Sequence, residues 1–387
     1  MAVYLDHAAS APLRPEAREA WLEASETIGN PSSIHRAGQA VRRILEESRE
    51  RLARTLDCDP IEVVLTSGGT ESVNLGVTGL WRAAGPRAAL VVPLGEHHAT
   101  MDTVAWLESH EGAVVRSVPL DAVGRIELDD WKAALGAPAV ATALVANNEV
   151  GTIQPAAALA EAAADAGIPL HLDAVGAFGH IPLSFRGLRG DVRGAAGLCA
   201  LSVSAHKLGG PIGAGALVVS RQADPVPLLH GGGQQRGLRS GTQDAAGAAA
   251  FAVAAESAVA EQAAEAERLA ALTERLIRQV RAAIPDAELL GDPVQRLPGN
   301  VHLLLPGAGG EQLLFLLDQA GIAVSTGSAC QAGVPEPSHV VLALGRSERE
   351  ARQVLRITLG RTSTRADVEA FVAALPDAVT RARGRRG

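Results

Sequence analysis

The stretch Leu201-Ser-Val-Ser-Ala-His-Lys-Leu-Gly-Gly-Pro-Ile-Gly-Ala-Gly215 decides how this chain is read. The apolar run Cys199-Ala-Leu-Ser-Val predicts a strand. It breaks at Ser204-Ala-His-Lys into a glycine-rich turn, and Ala216-Leu-Val-Val resumes as a second strand. Lys207 thus stands at a turn where two apolar strands end. Only Lys132 and Lys207 are lysines among the 35 Lys and Arg residues. Lys132, in Asp129-Asp-Trp-Lys, reads as a solvated helix residue, and arginine supplies positive charge everywhere else. A guanidinium is never deprotonated in a protein, whereas an amine can become a nucleophile or a Schiff base. A free lysine, with a pKa of about 10.4, is neutral only about once in a few thousand at pH 7, so burial or a preformed imine is needed to make it reactive. The plainer alternative is a lysine snorkelling from a loop.

Upstream, strands alternate with helices. Glu62–Thr66 reads as a strand leading to Ser67-Gly-Gly-Thr-Glu-Ser, which opens a helix running to about Arg82. A glycine-rich turn feeding a helix start presents free N–H groups to an anion, although a threonine N-cap would look similar. The expected units continue as strand Ala89–Val92, helix Thr100–Ser109, strand Ala113–Val118, helix Leu128–Leu135, strand Ala141–Ala146, helix Ala156–Ala166 and strand Leu170–Leu172. This alternation predicts an α/β fold whose mostly parallel sheet is covered on both faces. Ligands of such sheets sit past the carboxyl ends of the strands. Thr70, His97, Asn148, Asp173 and Lys207 each follow an apolar run, so all five are expected at one edge. Downstream, the alanine-rich Asp244–Ile284 predicts one or two long helices. They lead to an α+β layer with elements at Val301–Leu305, Glu311–Ala320, Arg356–Leu359 and Asp367–Leu375.

At 387 residues the chain is long enough for two domains. The expected division is an N-terminal arm over 1–14, a large domain over 15–255 and a smaller domain over 256–387. With 47% apolar and 20% charged residues and a net charge of −8, it reads as a soluble enzyme that binds no nucleic acid directly. The ending Arg381-Ala-Arg-Gly-Arg-Arg reads as a frayed tail. Ala245–Ala255, the longest apolar stretch, is too short to span a bilayer. The start, Met1-Ala-Val-Tyr-Leu-Asp-His, has no signal-peptide core. Three cysteines without paired spacing point to a reducing cytoplasm.

The motifs, taken in order, are Tyr4-Leu-Asp-His, Gly29-Asn-Pro-Ser, Thr66-Ser-Gly-Gly-Thr-Glu-Ser, Glu96-His-His, Asn147-Asn-Glu-Val-Gly, His171-Leu-Asp-Ala, Ser204-Ala-His-Lys, Arg239-Ser-Gly-Thr, Ser325-Thr-Gly-Ser-Ala-Cys and Arg356-Ile-Thr-Leu-Gly-Arg. Together they resemble the pyridoxal-phosphate enzymes of fold type I, and within them the NifS/IscS-like cysteine desulfurases of the class V aminotransferase family. The resemblance covers nearly the whole chain. It implies a large domain built on a seven-stranded sheet, a smaller α+β domain carrying a cysteine loop, and pyridoxal 5'-phosphate as cofactor.

Residue by residue, the resemblance implies that Lys207 forms the Schiff base with the cofactor aldehyde. Asp173 would face the pyridine nitrogen and keep it protonated, so that the ring serves as an electron sink. His97 would stack on the ring and move protons, and Asn148 would bond the ring hydroxyl beside the substrate. Thr70, Ser204 and His206, with the Gly69 helix terminus, would hold the phosphate. Thr242 would reach the phosphate of a second subunit, which implies a homodimer. Arg356 lies within the apolar Val354-Leu-Arg-Ile-Thr-Leu, where it needs a partner. A substrate carboxylate in a bidentate fork is the expected partner and a structural ion pair the alternative. Cys330 would attack the sulfur of L-cysteine, leaving L-alanine and a persulfide for a sulfur-acceptor protein such as an iron–sulfur scaffold or a thiolation enzyme. Cys58 and Cys199 read as packing residues.

Two departures accompany the resemblance. Gly176 stands where the family has a glutamine bonding the ring hydroxyl, and Arg186–Gly197 is longer, with consequences expected for access or partner contacts. A selenocysteine lyase or another class V aminotransferase or lyase is the alternative enzyme, which release of alanine and sulfide would separate. A non-catalytic scaffold is the alternative of a different class, and colourless purified protein would mark it.

Overall fold

The computed structural model describes residues 3–327 and 336–384. The first described element is a two-residue strand, β1 (Val3–Tyr4). The main sheet is then assembled from β2 (Val63–Thr66), β3 (Ala89–Pro93), β4 (Val114–Val118), β5 (Ala139–Leu144), β6 (Pro169–Asp173), β7 (Gly197–Ser204) and β8 (Gly215–Val219). Strands β2, β3, β5, β7 and β8 are buried along their whole length, as runs apolar on both sides must be when helices cover both faces. β4 is an edge strand, and there Val114 and Ser117 are exposed.

The strand order is β2-β8-β7-β6-β5-β3-β4. The neighbours from β7 through β4 pair in parallel, while β8 runs antiparallel to both β7 and β2. Only β8 is therefore reversed, because the turn after Ser204 is too short to hold the crossover helix that a parallel return requires. The expected mostly parallel seven-stranded α/β sheet is present. Six strands end at one edge, the edge that carries Ser67–Thr70, Glu96–His97, Asn148, Asp173 and Lys207.

One unbroken helix, Ala245–Ala283, follows, its first turn capped by the Asp244 carboxylate, which accepts from Gly247 N at 2.9 Å. Its first part, including Phe251 and Ala258, joins the apolar cluster beneath the large sheet. Leu269, Leu276 and Val280 further along join a second cluster. Around this second cluster lie β9 (Glu288–Leu290), β10 (Asn300–Leu304), β11 (Ile322–Ala323) and β12 (Val354–Thr358). β12, β10 and β9 form an antiparallel sheet in that order, and β1 pairs in parallel with β11. Leu5 belongs to the second cluster too, so the start of the chain is built into the C-terminal layer.

One expectation is corrected, and one segment is placed away from the cavity. The end of the chain is not frayed through Gly384: the last helix runs over Arg365–Gly384, and Arg383 pairs with Asp286 at 2.8 Å. Pro376 forgoes one N–H, but buried Leu375, Ala378, Val379 and Ala382 hold the helix on the core across it. The long Arg186–Gly197 segment folds as a short helix, Phe185–Arg189, and a turn whose carbonyls at Val192 and Gly194 accept from Arg189. It precedes β7, at the opposite end of that strand from Lys207, and lines no part of the cavity described next.

Candidate active site

Each strand end delivers its side chain by a local device. After β2, Gly68 adopts φ 146° and ψ −175°, a backbone state that favours glycine. β8 presses against this turn: a Cβ on Gly215 would lie 2.6 Å from Gly68 Cα. The helix Gly69–Ala84 starts there with no side-chain cap on its first N–H groups. After β3, His97 caps the helix His98–Glu111, its Nδ1 accepting from Ala99 N at 3.0 Å. Asp173 ends β6, and its Oδ1 accepts from Val175 N at 2.9 Å. Ser204 ends β7, and His206 and Lys207 occupy the single tight turn that follows.

These elements enclose a cavity of about 430 Å³. Of the residues singled out in the sequence, Gly69, Thr70, His97, Asn148, Asp173, His206, Lys207 and Arg356 line it, as does Gly176. Ser204 sits behind the Gly68–Gly69 turn, its Oγ buried without a hydrogen-bond partner among the described residues. Thr242 does not reach this cavity; it lines a separate one of about 110 Å³ with Ser67 and Arg239. Cys330 lies outside the described residues.

The charges are mutually dependent. Lys207 is half-buried, and its Nζ donates to the carbonyls of Ala8 and, at 3.1 Å, Ala9. Burial, then the Arg356 charge, lowers its amine to about 8, against the opposing pull of Asp173 and Asp6. Asp173 is buried, and that burial raises its carboxyl to about 6 despite the Val175 N–H and the Lys207 charge. Burial and then Lys207 lower His97 to about 4, so its imidazole is neutral at pH 7. Arg356 is 5% exposed; Nη1 donates to Asn148 O at 3.0 Å and Nη2 to Asp6 Oδ1 at 2.9 Å, while Nε has no partner among the described residues. The alternative expected for Arg356, a structural ion pair, is therefore present, and its Nε–H is still unspent.

Several lining or neighbouring groups carry no role that the sequence predicts. Asp6 meets Arg356 from 350 positions away, and His7 and His180 line the cavity. Glu96 is buried next to His97, its Oε1 accepting from Leu144 N at 2.9 Å, and burial raises it to about 8, leaving it a neutral acid. The signal for Glu96 was available, an acid directly before His97 at a strand end. The signal for Asp6 is its place in Tyr4-Leu-Asp-His, within the expected N-terminal arm.

At Gly176 a Cβ would meet only Ala146 O, at 3.6 Å, so the position has room for a side chain. Gly176→Ala is expected to fold normally and to gain up to about 1 kcal/mol, because alanine restricts the unfolded chain more than glycine does. A thermal melt checks this, and a lower melting temperature would show the site to be tighter than its geometry.

Comparison with known proteins places this arrangement. The Aminotransferase class-V family matches residues 3–371. The IscS-like cysteine desulfurase of Mycobacterium tuberculosis is 47% identical, covering 98% of this chain and 97% of that protein. A solved NifS-like protein superposes with a TM-score of 0.89 at 31% identity, covering 98% of this chain and 100% of that one. A solved complex of SspA with cysteine superposes with a TM-score of 0.79 at 30% identity, covering 92% and 98%. By fold, cavity and sequence, the chain belongs to the class V aminotransferase family, among its IscS- and NifS-like cysteine desulfurases.

Proposed function

We propose that this chain is a pyridoxal-phosphate-dependent cysteine desulfurase that converts L-cysteine to L-alanine and leaves the sulfur as a persulfide on Cys330. The observation that carries the reading is Lys207, the one lysine in the cavity, its amine lowered to about 8, with Asp173 and Arg356 both close enough to act on its charge. The residues fit the cofactor. Asn148 Oδ1, Ser204 Oγ and Arg356 Nε are buried without partners among the described residues, and Asp173 is a buried carboxylate awaiting a cation. A ring hydroxyl, a phosphate, a substrate carboxylate and a pyridinium N–H would answer these four groups in turn.

Bound there, the cofactor would supply an electron sink for negative charge at the substrate α-carbon. Asp173 would hold the ring nitrogen protonated, and His97 would cover the ring face. Gly69, Thr70, Ser204 and His206 would hold the phosphate, joined by Thr242 of a second copy. Lys207 would hold the aldehyde and then take the α-proton. Arg356 would orient the substrate carboxylate. Cys330 thiolate would form a new S–S bond to the substrate sulfur as the Cβ–S bond breaks. The electron pair passes to carbon, which is protonated, so cysteine plus thiol becomes alanine plus persulfide with atoms balanced. Incubation with L-cysteine, followed by alanine release and the mass of the intact protein, tests the reading: one added sulfur on Cys330 supports it, and alanine without added sulfur sinks it.

The homodimer is supported by Thr242 lining a separate cavity from the one that holds Lys207, and by exposed apolar side chains at Ile28, Ile34 and Ile212. The division at 1–14, 15–255 and 256–387 is supported by the two apolar clusters, with the long helix crossing the 255/256 boundary. A cytoplasmic location and an acceptor protein for the persulfide complete the proposal. Free thiols at Cys58 and Cys199 agree with a reducing compartment, and no helix among the described residues is long and apolar enough to cross a membrane.

If Arg356 grips the substrate carboxylate, Arg356→Lys should raise KM for cysteine about tenfold or more, since an ammonium cannot supply the fork. Steady-state kinetics check this. Unchanged KM and kcat would leave Arg356 only its ion pair with Asp6.

A further inference from the structure

Gly327 and Ser338, described residues on either side of the segment that carries Cys330, both meet one buried side chain, Glu149. Glu149 is 2% exposed and makes no ion pair among the described residues. Its Oε2 accepts from Ser338 Oγ at 2.5 Å. Ser338 is itself buried and caps the helix His339–Ala343, its Oγ accepting from Val341 N at 3.1 Å. On the other side, Gly327 holds φ +90° and donates its N–H to Ser325 Oγ at 3.0 Å. A Cβ there would lie 3.1 Å from Glu149 Oε2 and 3.2 Å from His302 Cε1, so the backbone lies directly against the carboxylate and the imidazole.

The same contacts are tied to the loops that bear the cavity residues. Glu149 directly follows Asn148, and its N–H donates to Asn147 Oδ1 at 2.9 Å. His339, next to Ser338, contacts the Glu96 carbonyl through Nε2 at 2.8 Å and meets the ring of His98 edge-on at 4.7 Å. One carboxylate thus links the Asn148 loop to described residues on either side of Cys330.

We infer that Glu149 is a positioning residue for sulfur transfer: it holds Gly327 and Ser338, the described anchors on either side of Cys330 in the chain, and it takes no part in holding the cofactor. A hydrogen bond to a carboxylate is short and strong, and correct placement of a nucleophile is worth large rate factors. The inference rests on Cys330 being the sulfur acceptor.

The test uses the cofactor-loaded enzyme with Glu149→Ala, Glu149→Gln and Ser338→Ala. The expected result for Glu149→Ala is a fall in the first-turnover rate of persulfide formation of about 10- to 100-fold, as for a misplaced reacting group. Cofactor absorbance, the absorbance change on adding cysteine, and KM should stay as in the parent. Glu149→Gln, whose amide oxygen still accepts from Ser338, should recover most of the rate. Ser338→Ala should slow the same step, and the Glu149→Ala/Ser338→Ala pair should be less than additive. If Glu149→Ala does not fold, Ser338→Ala carries the same expectation. An unchanged persulfide rate, a parallel loss of cofactor absorbance, or a glutamine variant no better than alanine overturns the inference. A persulfide mapped away from Cys330 in the parent enzyme overturns the reading beneath it instead.

Discussion

Cys330→Ser is expected to purify yellow, to change its absorbance when cysteine is added, and then to stop. The substitution removes the sulfur acceptor and leaves Lys207, Asp173 and the phosphate-binding turn untouched. An ordinary thiol with a pKa of about 8.5 is only a few per cent thiolate at pH 7, but that fraction is a strong nucleophile, and a serine hydroxyl offers nothing comparable. Neither remaining cysteine can stand in. Burial, with Glu62, Asp59 and Asp57 nearby, pushes the Cys58 thiol up to about 12, and burial raises Cys199 as well. Neither lines the cavity. Alanine release should therefore fall by about a hundredfold or more, which is on the order of 3 kcal/mol in barrier. Cys58→Ser and Cys199→Ser should keep most activity, with a packing cost at buried Cys199. The measurements are absorbance, alanine release and intact mass with and without reductant. Near-normal alanine release from Cys330→Ser would end the proposed sulfur-transfer step.

Lys207→Ala should have an equally large effect on the other half of the reaction. The second lysine, Lys132, is exposed on the helix Leu128–Ala134 and cannot replace it. The variant should lose the borohydride-reducible link to the cofactor and lose turnover by about 100- to 10,000-fold for the missing proton transfer alone. A retained reducible link would show another amine to be the attachment point. The pH dependence follows from the environment of the amine. Protonated lysine cannot attack an aldehyde, and the Lys207 amine is lowered to about 8 by burial and by the Arg356 charge. Cofactor capture by the cofactor-free protein should therefore accelerate as pH rises through about 8. Removing the Arg356 charge takes away one lowering influence and unpairs Asp6, which raises the amine further. The capture profile of Arg356→Gln should thus move to higher pH, and a profile that stays put would show that the guanidinium does not act on Lys207.

The local features of the site were legible in the chain because they are local facts. Apolar runs alternating with helical spacing can bury both faces only in a parallel sheet, and such a sheet puts Thr70, His97, Asn148, Asp173 and Lys207 at one edge. The scarcity of lysine singled out Lys207 without any geometry. What periodicity cannot record is which distant segment neutralises or covers a group. The partner of Arg356 is Asp6, brought 350 positions across the chain by pairing of the N-terminal strand with the C-terminal layer. The reversal of β8 follows from a turn length whose consequence appears only once the neighbouring strands are in place. The element expected over Asp367–Leu375 runs on through Pro376 to Gly384, because buried Ala378 and Val379 hold its last turns on the core. Glu149 looked like one letter of a motif, and only packing set it between Gly327 and Ser338. Residue type and local order determined which groups can react; burial and contacts between segments far apart in the chain decided their charge states and their partners.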